Sequence, residues 1–150
     1  MNKKIFVGCI YLIYKWIQKF NKYCQNYGNF CPQNTIEKIL TFIYNTSEIF
    51  EFDVPYLILI MIYFKRILFS NCFEYNPYIY FILSFIISVK FQEDNHYRNM
   101  NLLKCCSIEN IKKIIYEYEI LLLKSNINLH ICEDTYKTYY NYIILDKHLQ

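Results

Sequence analysis

Apolar and polar positions alternate along this chain with the period of helices. Ile10, Leu12, Ile13, Trp16, Ile17 and Phe20 form one stripe, and Lys15, Gln18 and Lys19 fall between them. Ile36, Ile39, Leu40 and Ile43 repeat the spacing over Thr35 to Asn45, behind the loop Cys31-Pro32-Gln33-Asn34. Asn34 or Thr35 can cap that helix, and Glu37 stands in its first turn. Asp53-Val54-Pro55 restarts the chain. Asp53 is a candidate N-cap, and a proline in the first turn forfeits no intrahelical hydrogen bond. The segment it opens runs to Leu68 or Phe69. Asn76-Pro77 uses the same device to begin a third apolar segment that ends near Lys90-Phe91. Ser107 is placed to cap a fourth, carrying Ile111, Ile114, Ile115 and Leu121. A fifth follows Cys132-Glu133-Asp134, with Tyr136, Tyr139, Tyr140 and Ile143 assigned to one face.

Strands compete with helices here, because Ile, Tyr and Phe favour sheets. Segment lengths of about 11 to 17 residues, capped starts and only two glycines decide for helices. The expected class is all-α. An N-terminal helical extension over 1–30 precedes a single domain over 31–146.

Composition then removes several functional classes. Hydrophobic residues make up 55% of the chain, with 17 Tyr and 12 Phe but no alanine. That bias matches the codon usage of an AT-rich genome, so the aromatic excess is not taken as a base-stacking surface. Net charge is +3, and no basic run exceeds a pair, which argues against nucleic acid as partner. The seven cysteines form no CxxC pair and are odd in number, which predicts free thiols in a reducing compartment. No cofactor is expected. His96, His130 and His148 are scattered, Glu93 and Asp94 alone provide too few ligands for Ca²⁺, and no nucleophile is matched with a base. No catalytic motif occurs, so a binding module is expected and not an enzyme.

A membrane protein with two or three hydrophobic helices, over residues 5–14, 54–69 and 77–89, is the alternative. These stretches are shorter than the roughly 20 apolar residues a span needs. The N-terminal stretch resembles a signal sequence up to Tyr14 but lacks a small-residue cleavage site, and its helical stripe runs on through Phe20.

The order of the segments and three local patterns resemble a cyclin box of the P/U (phosphate-pathway-like) type, in a divergent form. "LILIMIYFKRIL", Leu57 to Leu68, is similar to the family's second helix, with Lys65 where an aspartate is usual and Arg66 in its expected place. "FIISVKFQEDNHYRNMNLL", Phe85 to Leu103, resembles the end of the third helix and the loop after it. "IIYEYEILLL", Ile114 to Leu123, resembles the fourth helix. The resemblance covers about Thr35 to Tyr142. It implies a cyclin-box five-helix bundle, with the N-terminal helix in addition. It further implies a subunit that binds and activates a cyclin-dependent protein kinase as a heterodimer, in the cytoplasm or nucleus, in cell-cycle or phosphate signalling. Carried over by motif, Lys90 and Glu117 meet the kinase, and Glu93 and Asp94 lie beside that surface. Neither a membrane nor a small-molecule substrate is implied. Because Lys65 replaces the aspartate, and the only arginines are Arg66 and Arg98, both members of the family's usual buried ion pair are absent together. Tyr78, Ile82, Tyr136 and Tyr140 are candidates for apolar contact area, and periodicity alone does not say which of them face outward.

Overall fold

The computed structural model describes residues 3–26, 35–47, 50–70, 77–92 and 128–144, with backbone alone at 3, 23–26 and 90–92. Among them are five helices and no strand. These are α1 (Lys3–Asn26), α2 (Thr35–Thr46), α3 (Val54–Leu68), α4 (Pro77–Gln92) and α5 (Glu133–Ile144). They correspond to the N-terminal helix and to four of the five segments expected after it. The segment expected from Ser107 onward lies outside the described residues.

Local chemistry sets the helix starts. Asp53 is extended at φ −78° and ψ 173°, and its Oδ1 accepts from the Tyr56 amide at 3.3 Å. That bond satisfies one of the donors left over in the first turn, and Pro55 removes another. Pro77 opens α4 in the same manner. The Phe69 amide closes the other end of α3 by donating to the Lys65 carbonyl at 3.1 Å.

Helices α3 and α4 pack most extensively on each other and form the centre. α1 and α5 lie against α3, α1 and α5 also touch, and α2 lies against α4. The burial pattern follows from this order. Every residue from Leu57 to Phe64 is buried, as is every residue from Tyr80 to Val89, because neighbours cover both helices on more than one side. By contrast α1 buries a single stripe of Leu12, Ile13, Trp16, Ile17 and Phe20, with Ile10 half-buried, and so gives part of the same core.

Rings connect the layers. Trp16 of α1 meets Phe64 of α3 at 6.4 Å between centroids, and Phe64 meets Phe81 of α4 at 5.5 Å. Phe81 meets Phe42 of α2 at 6.1 Å, and Phe42 meets Phe85 at 5.4 Å. Phe85 then takes Phe50 and Phe52, from the α2–α3 connection, at 5.2 and 5.6 Å. Most of these pairs are edge-to-face, the arrangement in which the positive ring edge meets the negative face, worth about 0.5–1.5 kcal/mol each beyond area burial. The two polar side chains inside α4 are satisfied within their own helix. Ser84 Oγ donates to the Phe81 carbonyl at 2.6 Å and Ser88 Oγ to the Ser84 carbonyl at 2.8 Å.

No described helix is long and apolar enough to cross a membrane.

Candidate functional site

The polar chemistry of the described residues concentrates where α3 ends. Tyr63 and Arg66 are three positions apart and so share a helix face. Both reach the extended segment that leads into α5. Arg66 Nη1 donates to the Asn128 and His130 carbonyls, each at 2.7 Å, and Tyr63 Oη donates to the Leu129 carbonyl at 2.8 Å. Three successive carbonyls are therefore held by one helix. Asn128 Oδ1 shapes the same segment by accepting from the His130 amide at 3.0 Å. Donors that carry charge make the stronger bonds, so Arg66 is the main fastener between α3 and the start of α5.

Lys65 points elsewhere. Its Nζ lies 5.4 Å from the centre of the Trp16 ring and 5.9 Å from that of Tyr139, and these two rings meet edge-on at 6.3 Å. A lysine at this position thus makes a cation–π bridge from α3 to both α1 and α5. An aspartate at this position would be repelled by those ring faces.

A cleft opens beside this bridge. Its volume is about 660 Å³, and Lys15, Lys19, Lys22, Lys65, Trp16 and Phe69 are in its wall. Lys19 lies over the Phe69 ring at 5.8 Å. Among the described residues no carboxylate lines the cleft, and none of the four lysines joins an ion pair. Partial burial pulls the Lys65 ammonium below the ordinary lysine pKa, and the charge on Lys19 pulls it down further. A second concavity, of about 400 Å³, is almost wholly apolar and includes Val7, Tyr11, Tyr14, Ile36 and Leu40, from α1 and α2.

The residues assigned to kinase contact are not brought together among the described residues. Lys90 lies in the last turn of α4, where its backbone alone is described, and Glu93, Asp94 and Glu117 lie outside the described residues. Of the apolar contact candidates, Tyr140 is exposed, Tyr136 is half-buried, and Tyr78 is half-buried with Lys38 Nζ 5.9 Å from its ring centre. Ile82 is fully buried and is withdrawn from that set, because α4 is enclosed on all sides at that level. Tyr142, exposed on α5, was not foreseen and belongs with Tyr140.

The lysine cleft was also not foreseen, although part of its signal is legible. Lys15, Lys19 and Lys22 fall at i, i+4 and i+7 and share one face of α1. A search for consecutive basic residues passes over that spacing. Two thiols are described. Cys9 is buried, and burial pushes its pKa up to about 12. Cys132 is exposed, and its Sγ lies 3.1 Å from the Thr135 hydroxyl, whose hydrogen bond lowers its pKa. No three potential metal ligands cluster among the described residues. No family model, curated protein or solved structure matches the chain.

Proposed function

We propose that the chain is a noncatalytic regulatory subunit that binds a cyclin-dependent protein kinase and activates it as a heterodimer. One observation carries the reading. The segment Leu57–Leu68, which resembles the second helix of a cyclin box, is the buried middle of an all-helical core, and its Arg66 anchors the lead into the last helix. A motif arginine that joins two helices of the resembled region supports a shared scaffold better than matching composition does.

In this reading the kinase meets the ends of α4 and the outer face of α5. Lys90, in the last turn of α4, complements the negative end of its own helix and donates to kinase carbonyls. Glu117 accepts from kinase amides nearby, and Glu93 and Asp94 face basic side chains. The middle of α4 is buried, so apolar contact falls to Tyr140 and Tyr142. An interface of standard size covers about 1,600 Å² in total. Activation comes from tighter binding to the kinase's active conformer, and a differential of about 3 kcal/mol shifts that equilibrium more than a hundredfold.

Co-expression with a panel of cyclin-dependent kinases, followed by affinity capture and a phosphotransfer assay, tests the reading. The expected result is one co-purifying kinase with raised activity, weakened by Lys90→Ala and by Glu117→Ala. Capture of no kinase from the panel, with the chain folded, overturns it.

A further inference from the structure

We propose that the cleft between α1 and α3 is a binding site for a small anion bearing several phosphate-type charges, a linear oligophosphate being the best-matched form. The site is independent of kinase binding.

Lys15, Lys19, Lys22 and Lys65 bring four positive charges to one concavity, and among the described residues no carboxylate stands in its wall. Like charges at i, i+3 and i+4 on a helix repel one another. Lys65 feels this too: burial is the larger cause of its lowered pKa, and the charge of Lys19 lowers it further. A surface that merely kept the chain soluble would intersperse acidic residues. Here an anion in the cleft supplies the missing counter-charge and relieves the repulsion.

The type of cation points the same way. All four are ammonium groups, compact point charges that suit phosphate oxygens without demanding a fixed bidentate geometry. Arg66, the arginine described at this end of α3, is already committed to the Asn128 and His130 carbonyls.

Geometry agrees. Lys15 to Lys22 covers seven residues of helix, a run of about 10 Å at 1.5 Å per residue. Lys65 faces that row from α3, its position fixed by the Trp16 and Tyr139 rings. A charged row with one held cation opposite matches a short chain of phosphates better than a single spherical anion. The volume, about 660 Å³, falls within the range of small-molecule sites. The ring faces that would stack a nucleobase are occupied, Trp16 by Lys65 and Phe69 by Lys19, so the phosphates and no base carry recognition.

Isothermal titration of the full chain with tripolyphosphate, orthophosphate and a hexaglutamate peptide at low salt tests the site. Tripolyphosphate is expected to bind, orthophosphate to bind at least about tenfold more weakly, and hexaglutamate not to compete. Lys15→Gln with Lys22→Gln removes two exposed charges that make no core contact, and is expected to weaken tripolyphosphate about tenfold or more. Lys38→Gln with Lys137→Gln removes the same net charge away from the cleft and is expected to change affinity less than about twofold. Circular dichroism of both double variants confirms that they are folded. Equal weakening by the two double variants, no heat with tripolyphosphate, or hexaglutamate binding as tightly as tripolyphosphate overturns the proposal.

Discussion

Phe85 and Lys65 both meet aromatic rings in this fold, and they are held by opposite means. Phe85 is enclosed by Phe42, Phe50 and Phe52 and stays out of water. Lys65 is exposed and rests on the outer faces of Trp16 and Tyr139, with Lys19 repelling it. The aromatic seam around Phe85 draws its strength from excluded solvent, so it is indifferent to salt and rigidly specified. The junction around Lys65 has its charge half in water, gains little net stability and is open to ligands. One region builds the molecule. The other is where the molecule has chemistry to spare.

Removing a ring tests the first half of that contrast most severely. Phe85→Ala leaves a void among three aromatic neighbours and is expected to cost about 3–5 kcal/mol in urea unfolding. A loss below about 1 kcal/mol would mean the seam is not the structural centre. Arg66→Met should cost less, about 1.5 kcal/mol, because it deletes charge-assisted bonds to carbonyls that water can then reach. Arg66→Lys should fall between, since an ammonium lacks the planar fork of donors. If Arg66→Met unfolds at the wild-type urea concentration, the anchor is ornamental.

The thiols sharpen the comparison by chemistry. Cys9, inside the core, has a pKa pushed up to about 12 by burial. Between pH 9 and about 12 the unfolded chain can ionise this thiol while the folded chain keeps it protonated. The unfolded state then binds fewer protons, and stability falls with rising pH over that window. Relative to wild type, Cys9→Ala should show a shallower fall there, read from urea midpoints at successive pH values. Cys132 is exposed and its pKa is lowered, first by the Thr135 side chain. Peptide-resolved iodoacetamide labelling of the native protein at pH 8 should find Cys132 modified and Cys9 protected; modified Cys9 would show an open core.

The smallest effect belongs to Lys65. Lys65→Gln loses a cation–π bridge of about 0.5–1 kcal/mol and also loses repulsion from Lys19, for a net change within about 0.5 kcal/mol. Its signature is salt. The difference from wild type should shrink as ionic strength rises and screens the lysines. A loss as large as that of Arg66→Met would place Lys65 with the core.

Helix starts were legible in the sequence because capping is local. Asp53, Pro55 and Pro77 act within one turn of themselves, so their function needs no knowledge of the rest of the fold. The α1 stripe was legible for a related reason, since polar residues on its other faces fix the phase. The facing of α4 was not. From Ile79 to Val89 that helix has no charged side, so periodicity carries no direction, and Ile82, a contact candidate by sequence, is fully buried. On α5 the stripe was read one position too wide, with Tyr136 and Tyr139 half-buried, Ile143 buried and Tyr140 out in solvent. The lysine cleft depends on how α1 crosses α3. Lys65 reaches Trp16 across 49 residues of chain, a proximity that no local pattern encodes.

The fastening by Tyr63 and Arg66 has a quiet corollary. All three of its acceptors are peptide oxygens, which every amino acid supplies, and the side chains of Leu129 and His130 project outward. Those two positions can therefore drift almost freely while the tether survives. Asn128 cannot, because its amide oxygen folds the strap into shape.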